Sequence, residues 1–128
     1  MFKSRQLTFV ATALAASAAA LLCSAPQASA YVTSVTVTSS GGGKYGTGCS
    51  YKVTVTGSAN EYIWLYDSAT STFDPQQFAL DATGTATSTW TPSSTGTHYV
   101  QAWSYNGSQW ATIEVGTGTN LGSACLVS

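Results

Sequence analysis

The sequence predicts an all-β chain, folded as a two-sheet antiparallel sandwich of about seven strands. Apolar and polar residues alternate with period two in successive segments, and no segment carries a capped helical period. Gly, Asn, Asp and Pro interrupt these segments at short, regular intervals. Only 7% of the residues are charged, against roughly 25% in an average soluble domain. Thr and Ser must therefore cover much of the exterior.

Residues 1–30 are set apart from the fold. Lys3 and Arg5 are followed by the apolar stretch Leu7 to Leu22 and then by Ala28-Ser29-Ala30, a small-residue cleavage pattern. This is the layout of a secretory signal peptide cut after Ala30. The apolar stretch is Ala-rich and shorter than the ~20 residues that cross a bilayer, so no membrane insertion is expected once the signal is cleaved. Cys23 is a poor lipidation site, because Leu22 precedes it where that chemistry prefers Gly, Ala or Ser. The expected mature chain, 31–128, is a single secreted domain with no internal repeat or linker. Its basic residues are Lys44 and Lys52 and its acids are Glu61, Asp67, Asp74, Asp81 and Glu114, a net charge of −3. Without a basic run, nucleic acid and anionic membrane are excluded as partners. Cys23 leaves with the signal, and export favours pairing of the remaining Cys49 and Cys125. That bridge closes most of the chain, for about 4 kcal/mol in the chain-entropy model.

The strands follow in order. Val32 to Thr38 sets Val35 and Val37 against Thr36 and Thr38, and Gly41-Gly42-Gly43 ends it. In Cys49 to Thr56, Cys49, Tyr51, Val53 and Val55 share one face; Ser50, Lys52, Thr54 and Thr56 share the other. Tyr62 to Tyr66 is apolar on both faces. Phe78 and Leu80 mark a short strand closed by Asp81-Ala82-Thr83-Gly84. Thr85 to Trp90 sets Ala86, Ser88 and Trp90 against three threonines, and Pro92 stops it. His98 to Tyr105 and Gln109 to Val115 form a hairpin about Asn106-Gly107, where a type I′ turn needs positive φ at both central residues. Asn106-Gly107-Ser108 also matches a glycosylation sequon and is read as a turn. Seven short strands at this spacing fit an immunoglobulin-like sandwich.

The run Asp81-Ala82-Thr83-Gly84-Thr85-Ala86-Thr87-Ser88-Thr89-Trp90-Thr91-Pro92, followed by Thr95-Gly96-Thr97-His98-Tyr99-Val100-Gln101-Ala102, resembles bacterial Ig-like domains. Val53-Thr54-Val55-Thr56-Gly57 fits their second strand. Members of that family serve as envelope repeats, adhesion stalks and modules appended to enzymes. The resemblance therefore implies a fold and leaves the ligand open. Where antibody-type domains carry Gly-x-Tyr-x-Cys, this chain reads Gly96-Thr97-His98-Tyr99-Val100. His98 takes the tyrosine-corner position and Val100 that of the second cysteine. The usual sheet-to-sheet disulfide is thereby excluded. Cys49 would instead tie the second strand to Cys125, pinning a tail, Gly116 to Gly122, that otherwise reads as loose.

Little in the chain is suited to catalysis. His98 is the one imidazole and is read as a corner residue bonded to nearby backbone. A catalytic base would need a partnered nucleophile and an orienting acid. Asp67, Asp74 and Asp81 are too dispersed for a calcium loop, which gathers its ligands within about 12 residues. They are read as acids that solubilise turns. Paired carboxylates for glycoside hydrolysis are improbable in so small a sandwich. No catalytic residue, cofactor or metal is expected.

The mature chain does carry 13 aromatic residues. If His98, Val100 and Ala102 face the core, Tyr99, Gln101, Trp103 and Tyr105 face out; if Ala111, Ile113 and Val115 face in, Trp110 faces out. With Ile63 and Leu65 inward, Tyr62, Trp64 and Tyr66 join them. The result is an aromatic face of Tyr62, Trp64, Tyr66, Tyr99, Trp103, Tyr105 and Trp110 on the C–F–G sheet, formed by the third, sixth and seventh strands. The competing expectation turns Trp64 inward, as in antibody-type domains, and shrinks the face. Three functions follow from these alternatives. One is a secreted binding or adhesion module for a polysaccharide or protein at the cell surface, or for its own twin. The second is a structural envelope or matrix domain with no ligand, and the third a small hydrolase built around His98.

Overall fold

The computed structural model describes residues 31–39 and 41–128; the expected leader, 1–30, lies outside the described residues. Eleven strands run through them. These are β1 (Val32–Thr38), β2 (Tyr45–Gly46), β3 (Tyr51–Gly57), β4 (Tyr62–Asp67), β5 (Ser71–Asp74) and β6 (Gln77–Ala79). After these come β7 (Thr85–Pro92), β8 (Gly96–Ser104), β9 (Gly107–Gly116), β10 (Gly118–Asn120) and β11 (Cys125–Val127). One sheet has the order β1-β3-β7-β5, the other β2-β9-β8-β4-β6, and β10 pairs with β11 alone. Pairing is antiparallel except where β2 meets β9. The order β1-β3-β7-β5 is the A-B-E-D arrangement of immunoglobulin sandwiches, and β9-β8-β4 is G-F-C.

Period-two alternation decides which residues meet between the sheets. Val53 and Val55 of β3 and Trp90 of β7 are fully buried from one side. Ile63, Leu65, Val100 and Ala102 of β4 and β8 are buried from the other. Trp90 is the largest of these side chains. The expected inward face of Cys49, Tyr51, Val53 and Val55 is buried throughout.

Four elements depart from the sequence reading. β5 was not anticipated: it has one large apolar residue, Phe73, and pairs along the edge of β7. β2 is only two residues long, below what alternation can signal. The last hairpin turns at Tyr105-Asn106, since Ser104 pairs with Gly107. Gly107 takes a φ of 147°, and Asn60 is the only non-glycine with positive φ among the described residues. The type I′ turn is therefore not adopted: only the glycine leaves the negative-φ region. Finally, the Gly-rich tail forms the β10–β11 hairpin. The Thr47 N–H donates to the Gly116 carbonyl at 3.0 Å and the Gly118 N–H to Thr47 Oγ1 at 3.1 Å, fastening its base to the second sheet.

The Asp81 turn shows why that motif has its residue order. Asp81 Oδ1 accepts hydrogen bonds from the Thr83 hydroxyl (2.6 Å), the Thr83 N–H (2.8 Å) and the Thr85 N–H (3.0 Å). The bonds from Thr83 and Thr85 hold its carboxyl below the usual carboxylate range. Gly84 follows at φ 80°, and a Cβ there would lie 2.2 Å from the Gly57 carbonyl oxygen. Asp81 thus organises its turn as well as solubilising it.

Candidate functional site

Adjacent strands of the second sheet carry the aromatic residues to one surface. Trp64 pairs across β4–β8 with Trp103, and Tyr66 with Gln101. Across β8–β9, Gln101 pairs with Trp110 and Trp103 with Ser108. Alternation turns Ile63 and Leu65 inward, so Tyr62, Trp64 and Tyr66 face outward. Trp103 is 52% exposed, Trp110 60% and Tyr105 84%; Tyr62, Tyr66 and Tyr99 are also exposed.

Trp64 is half-buried, and its neighbours on the outer face explain why. Tyr62 meets it edge-on at 4.9 Å between ring centroids and Tyr105 at 5.1 Å. The core tryptophan is Trp90, supplied by the opposite sheet. Because one indole already fills the centre, Trp64 has no place there.

The polar groups that bond to the rings are uncharged amides. The Trp103 indole N–H donates to Gln101 Oε1 at 2.7 Å, and the Tyr62 hydroxyl donates to Gln77 Oε1 at 3.1 Å. Each bond fixes an amide through its oxygen and leaves its NH₂ group as a donor. Glu114, at the far end of β9, is the one ionisable acid pointing outward from the four strands β4, β6, β8 and β9, and it accepts from the Thr97 hydroxyl at 2.5 Å. Two shallow clefts flank β8. One, of about 330 Å³, is lined by Trp64, Leu65, Tyr66, Gln76 and Trp103. The other, of about 290 Å³, is lined by Tyr99, Gln101, Ser108 and Trp110.

Beneath this sheet lies a polar cluster that the sequence reading divided among separate roles. His98 and the Asp67 side chain are 0% and 2% exposed, with Nδ1 2.7 Å from Oδ2. The Trp90 indole N–H donates to the same oxygen at 2.9 Å, and the Ala69 N–H to Oδ1 at 3.0 Å. Asp67 is therefore a buried acceptor, which corrects its reading as a solubilising acid. The expectation for His98 holds in part: Nε2 lies 2.7 Å from the Ser94 carbonyl oxygen, while Nδ1 goes to a side chain. Carbonyls only accept, so the bond to Ser94 places a hydrogen on Nε2.

Burial pushes the Asp67 carboxyl up, but bonds from Ser71, His98, Ala69 and Trp90 outweigh it and hold the carboxyl below the ordinary range. Ser71 Oγ falls short of full hydrogen-bond geometry with any partner, yet it lies close enough to favour the carboxylate. A depressed folded-state value stabilises the domain above the unfolded carboxyl's range, about pH 4, and that stability is lost as pH falls further. Urea midpoints should accordingly fall below pH 4. They should fall less in Asp67→Asn, which lacks the titrating group.

Ser94, His98 and Asp67 have the residue types of a hydrolase triad, and Ser94 Oγ lies 3.3 Å from Nε2. The geometry is that of a corner clamp. The shorter Nε2 bond goes to the Ser94 carbonyl, and the ring is sealed from solvent. A general base needs a free lone pair facing its nucleophile.

Asp74 is exposed at the end of β5 and Asp81 caps its turn, so the three aspartates do not converge. Among the described residues no three His, Cys, Asp or Glu side chains gather to hold a metal ion. Cys49 and Cys125 are bonded, with Cα atoms 6.1 Å apart, joining the residues before β3 to the start of β11.

No protein-family model and no curated protein matches the chain. Solved structures do. A C-terminal 282-residue fragment of intimin, in complex with the intimin-binding domain of the translocated intimin receptor, superposes with a TM-score of 0.57 at 16% identity, over 69% of this chain and 34% of that one. The D00–D0 domain of intimin gives 0.51 at 15% identity, over 75% of this chain and 46% of that one. This chain thus corresponds to between a third and a half of the length of those it matches. The strand order, the two-sheet core and these superpositions together identify the chain as an immunoglobulin-like β-sandwich.

Proposed function

We propose that this chain is a secreted, cell-surface binding module that engages its partner through the aromatic face of β4, β8 and β9. One observation carries the reading. Seven aromatic side chains, Tyr62, Trp64, Tyr66, Tyr99, Trp103, Tyr105 and Trp110, share one sheet surface, and six of them are exposed. A contiguous exposed apolar patch of this kind marks an interaction site, and Trp and Tyr suit it because each joins flat apolar area to a polar tip. The leader pattern and the Cys49–Cys125 bridge support an oxidising, extracellular location. The intimin fragment, a fold relative solved bound to a protein receptor, supports a partner at a cell surface. A ligand-free structural domain would have no use for such a patch. A hydrolase would need His98 open to substrate.

The test is binding of the fluorescently labelled mature domain to intact cells and isolated envelope, with sedimentation velocity for self-association. Trp103→Ala and Trp110→Ala should each weaken attachment at least tenfold, about 1.4 kcal/mol. Both rings lie outside the core, so folding should be retained. Equal behaviour of the parent and both variants would remove this function. Intact mass of the secreted form should correspond to a chain beginning at Tyr31 and lacking about two hydrogens for the disulfide; a mass that retains the leader would refute cleavage after Ala30.

A further inference from the structure

We propose that the occupant of the aromatic face is a neutral glycan chain lying across β4, β8 and β9, with one sugar unit in each of the two clefts. This rests on the binding-module reading above and gives it a ligand class.

The shape of the face is the first argument. Its clefts, about 330 and 290 Å³, sit on either side of β8, separated by Gln101 and Trp103. Neighbouring strands lie ~4.8 Å apart, about the length of one sugar ring along its chain. A narrow polymer crossing the strands would drop successive units to either side of that divider. A flat protein surface, whether another protein or a second copy, would bridge the ridge and leave both clefts unfilled. Unfilled space in an interface forfeits the contacts that stabilise it.

The chemistry is the second argument. Each cleft has aromatic walls, Trp64, Tyr66 and Trp103 in one and Tyr99 and Trp110 in the other. The C–H faces of a sugar ring carry slight positive charge and pack well on such π-faces. Gln101, in the wall of the second cleft, and Gln77, opposite Trp64 on β6, present NH₂ groups and are held through their oxygens by Trp103 and Tyr62. They are preorganised donors for hydroxyl, ring and bridging oxygens.

Charge is the third. Lys52 sits on β3, in the opposite sheet, and Lys44 lies at the β2 edge beside Ser39, Gly41 and Leu126, so no cation lines either cleft. An anionic polymer would find no counter-charge here. In a complex with a protein, this face would contribute none of the arginines that commonly anchor interfaces.

The chain carries its own reporters. Its four tryptophans give four indole N–H signals. Trp64, Trp103 and Trp110 lie on the face, and Trp90 is buried in the core as an internal control. The experiment titrates the ¹⁵N-labelled mature domain with α-glucan, β-glucan, mannan, galactan and arabinan oligosaccharides, and separately with polygalacturonate. A neutral oligosaccharide should shift the three face signals and leave Trp90 unmoved. Trp110→Ala, which empties the wall of one cleft, and Gln101→Ala, which removes the central donor, should each weaken that binding at least tenfold with Trp90 still at its native position. Tighter binding of polygalacturonate than of every neutral sugar would overturn neutrality. Absence of shifts with the whole panel would overturn the glycan. If the domain then still attaches to cells or self-associates through Trp103 and Trp110, the binding-module reading survives with a protein partner. If it does neither, both fall.

Discussion

Asp67→Ala is expected to lower the unfolding free energy by about 3–5 kcal/mol, because several buried groups lose their hydrogen-bond acceptor at about 1–3 kcal/mol each. Three groups converge on that carboxylate: His98 Nδ1, the Trp90 indole and the Ala69 N–H. They come from β8, β7 and the turn after β4, so one acid ties the two sheets together at the corner. Without it, buried donors lose their acceptor where water does not reach them. Against a total of roughly 5–15 kcal/mol, that loss leaves little margin. Asp67→Asn should recover part of it, since one oxygen still accepts while the new NH₂ opposes a donor. Urea denaturation followed by tryptophan fluorescence measures both. An Asp67→Ala midpoint equal to the parent's would show that the cluster does not carry this load.

Cys125→Ser is the second large expected effect, about 4 kcal/mol, from restoring freedom to an unfolded chain no longer closed over a separation of 76 residues. The bridge also holds β11, which packs near β2 at the margin of the second sheet. Loss should therefore appear in two stages by hydrogen exchange. Amides of β10 and β11 should lose protection first, and those of β3, β7 and β8 only with global unfolding. Equal protection of β10–β11 in parent and variant would show that backbone bonds alone hold the hairpin. Neither cleft of the aromatic face is lined by the bridge or by β10–β11, so binding by the folded fraction should be unchanged.

The two effects differ in how far they were legible. The disulfide needed only cysteine arithmetic and the expectation of export, because two thiols admit one pairing. The aromatic face needed only period two. Once His98, Val100 and Ala102 are inward on β8, Trp103 has no other side to occupy. The orientation of Trp64 was a true ambiguity, since every residue from Tyr62 to Tyr66 is apolar and alternation alone cannot assign a face. Packing decided it, with Trp90 already filling the centre from the opposite sheet.

Asp67 was misread for a related reason. A single acid at a strand end normally solvates a turn, and local sequence holds no sign that a histidine and an indole from two other strands will meet it. β2 and β5 escaped notice because edge strands bury little and need little pattern. The turn at Tyr105-Asn106 slipped by one residue against its Asn-Gly signal because strand register overrode a local preference.

By itself, the sequence determined the fold class, the inward and outward faces of its regular strands, the disulfide and the near absence of charge. Each follows from side-chain period or composition, which are properties of the chain alone. Tertiary structure decided which sheet supplies the core tryptophan, which acid is buried, and that the outer rings frame two clefts on either side of β8. Those depend on which residues distant in sequence come within a few ångströms of one another, and only packing determines that.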